Sequence, residues 1–221
     1  DDTTVRHAIV EWEGGIGARL PADAVVVDMS SSHPDGTTGL GAELAPLGVS
    51  LVDAPVSGGV TRAEAGTLTL MIGGDDEAAI ERATPVLEVL GERLFRTGPL
   101  GSGHAMKALN NFVGGGTYVI VVEALAVGRE YGLDPETMID VMNASSGRSF
   151  NTEHVVKDHV LTGAYATGFA VGLLAKDTGI AKLLSDAAGV DAPVCDLVSR
   201  RWAAANAALG PAADHSEAHT A

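Results

Sequence analysis

The sequence has a single cysteine, Cys195, among its 221 residues. An internal disulfide framework is therefore excluded, and a reducing compartment fits. Aromatic residues make up only 4% of the chain, and the small residues that dominate instead permit close backbone packing. Positive charge is also scarce. Fourteen Lys and Arg stand against 29 Asp and Glu, a formal net charge of −15. That argues against nucleic acid and anionic membrane surfaces as partners, because both are gripped by basic patches. It also requires that any site for an anionic substrate be locally positive. No run of eighteen apolar residues occurs, and no basic segment precedes an apolar one at the start, so neither a membrane span nor a signal peptide is expected. A cytoplasmic protein is expected. There is no initiator methionine; Asp1-Asp2-Thr3-Thr4 reads as a helix start.

What is present is a chain 46% hydrophobic, rich in alanine, glycine and valine, enough to bury a sizeable core. Residues 1–14 read as a short helix with apolar Val5, Ile9 and Trp12. Val25-Val26-Val27-Asp28 reads as a buried strand feeding a serine-rich loop. A helix is expected over 34–47, strands over 50–56, 67–72 and 93–96, and an amphipathic helix over 75–90 with Ile80, Val86, Leu87 and Leu90 inward. Strands alternating with helices predict an α/β sheet. Beyond Gly101 no strand signal remains. Helices are expected at about 102–131, 135–143, 152–161, 171–188 and 193–208. The organisation predicted is an α/β domain over 1–100, an all-helical domain over 101–210 and a disordered tail over 211–221, which is small, polar and unpatterned.

Four segments carry chemistry. Asp53-Ala54-Pro55-Val56-Ser57-Gly58-Gly59 ends a strand in a turn whose backbone N–H groups can hold a carboxylate; an ordinary glycine-rich turn is the plain alternative. In Gly101-Ser102-Gly103-His104-Ala105-Met106-Lys107-Ala108-Leu109-Asn110-Asn111, Lys107 and Asn111 are four apart and share one helix face. An ammonium and an amide placed so can hold a substrate hydroxyl or carbonyl, and the lysine can move a proton or stabilise an alkoxide. A solvated surface pair is the usual fate of such residues, but the neighbours here are largely apolar. Val25 to Pro34 places Ser30, Ser31 and Ser32 beyond a strand's carboxyl end, where ligands bind in open α/β sheets; a serine-rich helix cap is the alternative. Lys176-Asp177 interrupts an apolar helix, and a lone Lys-Asp pair is usually surface decoration.

Taken in order, these four segments resemble the β-hydroxyacid dehydrogenase family, which includes 3-hydroxyisobutyrate dehydrogenase and tartronate semialdehyde reductase. The resemblance runs from Asp1 to about Ala208. It implies a Rossmann-type dinucleotide-binding sheet followed by an all-α domain opened by a long interdomain helix. It also implies NAD or NADP as cofactor, a short hydroxy acid or its semialdehyde as substrate, and a homodimer or higher homo-oligomer. Lys107 matches the catalytic lysine. Asn111 matches the asparagine that orients substrate, and is grouped with Lys107. Ser57, Gly58 and Gly59 match the loop for the substrate carboxylate. Lys176 and Ser32 match positions beside the cofactor, and Thr4 is aligned near it. The family opens with a strand, a Gly-x-Gly-x-x-Gly turn and a helix, and that opening is not in the sequence. On the order of sixty residues correspond to it, at ~30 per βαβ unit. The expectation is that this segment was removed or not included.

Two patterns are set aside. Gly101-x-Gly103 imitates the dinucleotide fingerprint, but Met106 stands where the third glycine belongs. His215 and His219 have metal-ligand spacing, but without an apolar face to hold them they read as solvent-exposed, and no metal is expected. Imine reduction on the same scaffold, and a non-catalytic fragment that only oligomerises, are the alternatives. Lys107 and Asn111 speak against the first.

Overall fold

The computed structural model describes residues 1–220. The chain forms two compact units, Asp1–Ala108 and Leu109–Ala221. The sequence places the division near residue 100; by internal contacts it falls inside the long helix.

The first unit is α/β. Helix α1 (Asp2–Arg6) is capped by Asp1 and continues through wider and tighter turns to Gly14. Of its expected apolar face only Ile9 is buried; Trp12 is exposed. Strand β1 (Val25–Asp28) leads to α2 (Pro34–Leu44), which has Pro34 in its first turn and the His33 side chain accepting the Asp35 N–H at 3.2 Å. The expected strand over 50–56 breaks at Ala54-Pro55 into β2 (Ser50–Asp53) and β3 (Val56–Ser57). A short helix the sequence did not suggest, α3 (Gly59–Glu64), follows. Next come β4 (Leu68–Gly73), α4 (Glu77–Leu90) and β5 (Gly91–Gly98). Helix α4 starts at Asp76, whose carboxylate accepts the N–H of Ala78 and Ala79.

The sheet is mixed. β1 runs parallel to β2, β2 and β3 run antiparallel to β4, and β4 runs parallel to β5. Helices cover both faces, as the period-2 alternation of β1 and β2 requires. On one face Val52, Leu70 and Ile72 pack with Ala79, Ile80, Ala83 and Leu87 of α4, with Val25 and Val27 against them. On the other, Leu51 and Val26 meet Leu40 and Leu44 of α2 and Ile9. Val86 was expected inward and is 65% exposed. The buried stripe of α4 runs 79, 80, 83, 87, and at 100° per residue position 86 falls off it. Among the described residues β1 pairs with β2 alone.

Helix α5 (Ser102–Glu130) is 29 residues long and passes from the first unit into the second. The second unit is helical: α6 (Pro135–Asn143), a wide-pitch helix over Asn151–Val160, α7 (Val171–Ala187) and α8 (Pro193–Leu209). By length and composition alone α5 is apolar enough to cross a membrane, with a mean hydropathy of 1.4 in its most apolar window. Here Tyr118, Val121 and Leu125 instead pack in a core with Ile139, Val156, Leu174, Val198 and Trp202. The Gly114-Gly115-Gly116 run has a packing reason at its centre. A Cβ on Gly115 would lie 2.7 Å from the Trp202 indole nitrogen, which donates to the Gly115 carbonyl at 3.2 Å.

The expected tail is ordered through residue 220, and only residue 221 lies outside the described residues. Asp214 accepts hydrogen bonds from Thr167, the Gly168 backbone and Ser216. Tyr118 donates to the Ser216 carbonyl at 2.7 Å. His215 and Ser216 are buried. Small polar composition suggests disorder, but the Asp-x-Ser turn here folds the segment onto the core instead. The two histidines read as solvent-exposed are engaged: His215 with Thr167 and Phe169, His219 stacked on Tyr165.

Candidate active site

In the α/β unit three of the four segments meet at one edge of the sheet. The parallel register sets Asp28 opposite Asp53 at the carboxyl ends of β1 and β2. Both carboxylates are buried, and Asp53 is fully so. Asp53 spends its oxygens on the start of α5, accepting the N–H of Gly101 at 2.8 Å and of His104 at 2.9 Å. Those are amides that a helix leaves without internal partners. Gly103 allows the approach, since a Cβ there would come within 2.8 Å of an Asp53 carboxylate oxygen and press on the Met71 carbonyl. The His104 ring lies within 4 Å of both carboxylates, and its Nδ1 shares a 2.7 Å hydrogen bond with Thr37. The first turns of α5 are thus fixed to β1, β2 and α2. Lys107 follows in the next turn and is half-buried.

The serine loop closes on the same edge. Asp28 accepts the Ser30 N–H at 2.9 Å, and Ser30 and Ser32 share a 2.7 Å hydroxyl contact. Ser32 is 1% exposed and turned toward Asp28, so its hydroxyl shapes the loop. β3 runs in the direction of β2 and delivers the Ser57-Gly58-Gly59 turn at that edge too. Gly58 and Gly59 have φ of +141° and +64°, conformations L side chains resist. The stem of Arg62 lies over Gly58, at 2.7 Å from where a Cβ would be, which brings an arginine to the turn. Thr4 is exposed, and its hydroxyl and N–H both go to Asp1; the structure does not gather it with the other segments.

The fourth segment belongs to the helical unit. Asp177, in the middle of α7, is 2% exposed. Its Oδ2 accepts the Asn111 amide at 2.6 Å, and its Oδ1 lies 3.3 Å from the Lys176 ammonium. The Lys-Asp pair is therefore not surface decoration: its carboxylate is buried and tied to a second site residue. Asp53, His104 and Asp177 lie in the four segments but had no role of their own in the sequence reading, and Arg62 was not singled out. The signal for the two aspartates was available, because an acid inside an apolar strand or helix must find partners. Cys195 is buried, and desolvation pushes its thiol above the ordinary 9.0, the mark of an unreactive thiol. Among the described residues no cluster of His, Cys, Asp or Glu is arranged to hold a metal.

Two family models cover the chain. Residues 1–98 match the NAD binding domain of 6-phosphogluconate dehydrogenase, and residues 101–221 match the NAD-binding domain of NADP-dependent 3-hydroxyisobutyrate dehydrogenase. The chain belongs to the β-hydroxyacid dehydrogenase family. Within it, 2-(hydroxymethyl)glutarate dehydrogenase of Eubacterium barkeri is 41% identical over 79% of this chain and 58% of its own length. The chain thus spans a little under two thirds of the curated relatives it matches. A solved 3-hydroxyisobutyrate dehydrogenase of Mycobacterium tuberculosis, with L-serine, superposes with a TM-score of 0.87 at 28% identity, covering 99% of this chain and 75% of that one. An imine reductase of Myxococcus stipitatus is more distant: TM-score 0.60 at 18% identity, over 100% of this chain and 76% of that one. That likeness is one of fold. The Rossmann-type sheet followed by helices, read from the sequence, is the fold of this family.

Proposed function

We propose that the intact protein is an NAD(P)-dependent dehydrogenase that interconverts a short β-hydroxy acid and its semialdehyde or keto form. The observation that carries this is Lys107, half-buried one turn beyond a helix start that the buried Asp53 pins to the carboxyl edge of the sheet. A nicotinamide cofactor, when bound, supplies hydride acceptance and donation at its C4. The chain offers it the hydroxyl-rich Ser30–Ser32 loop, with Ser32 as loop-former, and the Lys176 ammonium; such groups suit the amide and sugar hydroxyls of a nicotinamide nucleotide. Thr4 is assigned to the same cofactor by its alignment.

The substrate carboxylate is held by the Ser57 hydroxyl and the Gly58 and Gly59 N–H groups. Arg62 adds the local cation that a chain of net charge −15 needs beside an anion. In oxidation, Lys107 Nζ takes the hydroxyl proton as the carbinol hydrogen leaves as hydride. In reduction it returns that proton to the developing alkoxide. Asn111, one turn further along α5, orients the same oxygen. Lys107 and Asn111 together weigh against imine reduction.

A homodimer seamed along α5 is part of the proposal. Leu109, Val113, Ile120 and Val127 are 43%, 60%, 61% and 71% exposed and recur on one face of the helix. A reducing, cytoplasmic setting fits the lone buried thiol.

The test is fluorescence titration of the intact protein with NADH and NADPH, followed by turnover of a panel of hydroxy acids bearing one or two carboxylates. Saturable binding of one nucleotide with turnover of a β-hydroxy acid is expected. Binding of neither, without turnover, would leave a non-catalytic chain.

A further inference from the structure

The helical unit contains a carboxylate that the proposed chemistry does not use. Asp177 sits mid-way along α7 among buried Leu174, Ile180 and Ala181. Its neighbour Thr178 does not serve it, because that hydroxyl donates back to the Leu174 carbonyl at 3.0 Å. Desolvating a carboxylate costs several kcal/mol, and a packed aliphatic side chain at such a position is commonly neutral or better for stability. Packing alone therefore does not account for an acid here. Its partners do: Asn111 Nδ2 at 2.6 Å on one oxygen and Lys176 Nζ at 3.3 Å on the other.

We propose that Asp177 is a positioning residue, which holds the Asn111 amide in one orientation for the reaction. A carboxylate can only accept hydrogen bonds, so the group facing it must be the Asn111 NH2. The two ends of an asparagine amide are otherwise interchangeable in shape, and Asp177 removes that ambiguity. With the NH2 committed, the amide carries its carbonyl oxygen away from Asp177, where the Asn110 side chain donates to it at 3.2 Å. The second Nδ2–H then has a fixed direction and can donate to a lone pair of the substrate oxygen, whose hydroxyl proton goes to Lys107. Asp177 touches no substrate in this scheme and acts through Asn111. The proposal rests on Asn111 orienting the substrate oxygen.

The test is a double-mutant cycle in the intact protein, using Asp177→Asn, Asn111→Ala and the pair. Asp177→Asn keeps the shape and removes the obligate acceptor, so the amide can flip. We expect kcat/KM for the hydroxy acid to fall by about a hundredfold, the scale of a small misplacement at a reacting centre. In the Asn111→Ala background the same substitution should change kcat/KM by less than about twofold, because coupled residues are non-additive. Equal losses in both backgrounds, or a fully active Asp177→Asn, would overturn the proposal. If that variant does not fold, side-chain amide exchange in the wild-type protein decides. Asn111 NH2 protons should be shifted and protected, and exchange as fast as in an exposed asparagine would overturn it. Should the wild type oxidise no hydroxy acid with either nucleotide, the functional reading fails. The amide protons then still decide whether Asp177 holds Asn111.

Discussion

The Asp53 carboxylate accepts the backbone N–H of His104 at 2.9 Å, so the last residue of β2 caps the helix that carries Lys107. Its other oxygen takes the Gly101 N–H at 2.8 Å. Asp53→Ala leaves two buried donors orphaned. The expected cost is about 3 kcal/mol, as for removing one partner of a buried charged hydrogen bond, read as a drop in the urea midpoint. Loss of hydroxy-acid turnover should accompany it at temperatures where the fold persists. An unchanged midpoint would mean that Asp53 does not pin α5.

The triple glycine of α5 should split by position. A Cβ on Gly114 meets nothing within 4 Å, whereas on Gly115 it meets Trp202. Gly114→Ala should stabilise by up to about 1 kcal/mol through helix propensity. Gly115→Ala should destabilise by about 1–3 kcal/mol through overpacking. Thermal melts of the two single variants check the contrast; melts shifted in the same direction would contradict it.

Those glycines mark how far the sequence could be read. The β-branched run at Val25–Val27 and the helix-opening Pro34 are local signals, and the elements they predict lie within a few residues of those observed. What was not legible depended on distant partners. The reason α5 carries a glycine at 115 lies at Trp202, far along the chain. The segment 211–220 looked unpatterned because its order comes from Thr167, Phe169 and Tyr118 rather than from its own periodicity. Lys107, Asn111 and the Ser57 turn stood out by motif, while Asp53 and Asp177 needed the hydrogen bonds that tie them to those motifs.

Acid should loosen the helical unit in two stages. Burial holds the His215 imidazole below its ordinary 6.5. As pH falls through 6.5 and below, the unfolded chain binds a proton that the folded one does not, so stability is lost. Against the upward pull of its burial, hydrogen bonds from Ser216, Thr167 and Gly168 hold Asp214 below its ordinary 3.8. Its contribution is present above that value and lost as pH falls through the lower, folded one. Tm measured from about pH 8 downward should decline from near 6.5, again below about 4, and His215→Phe should flatten the first stage. A flat profile between 7 and 5 would contradict the first stage.

The exposed stripe on α5 predicts the assembly. Ile120 is 61% exposed in the single chain. Ile120→Glu should convert a dimer to a monomer in light scattering at micromolar concentration, since a charge at an apolar seam is desolvated without a partner. A monomeric wild type would remove the seam from the proposal.

Lys107 is the centre of the account. In the intact protein, kcat for β-hydroxy-acid oxidation by Lys107→Ala measures its role directly, with nucleotide affinity and Tm as controls. The expected result is a fall of about 10²–10⁴, the range for a positioned acid–base group, with both controls near wild type. Turnover within a few-fold of wild type would contradict the assignment.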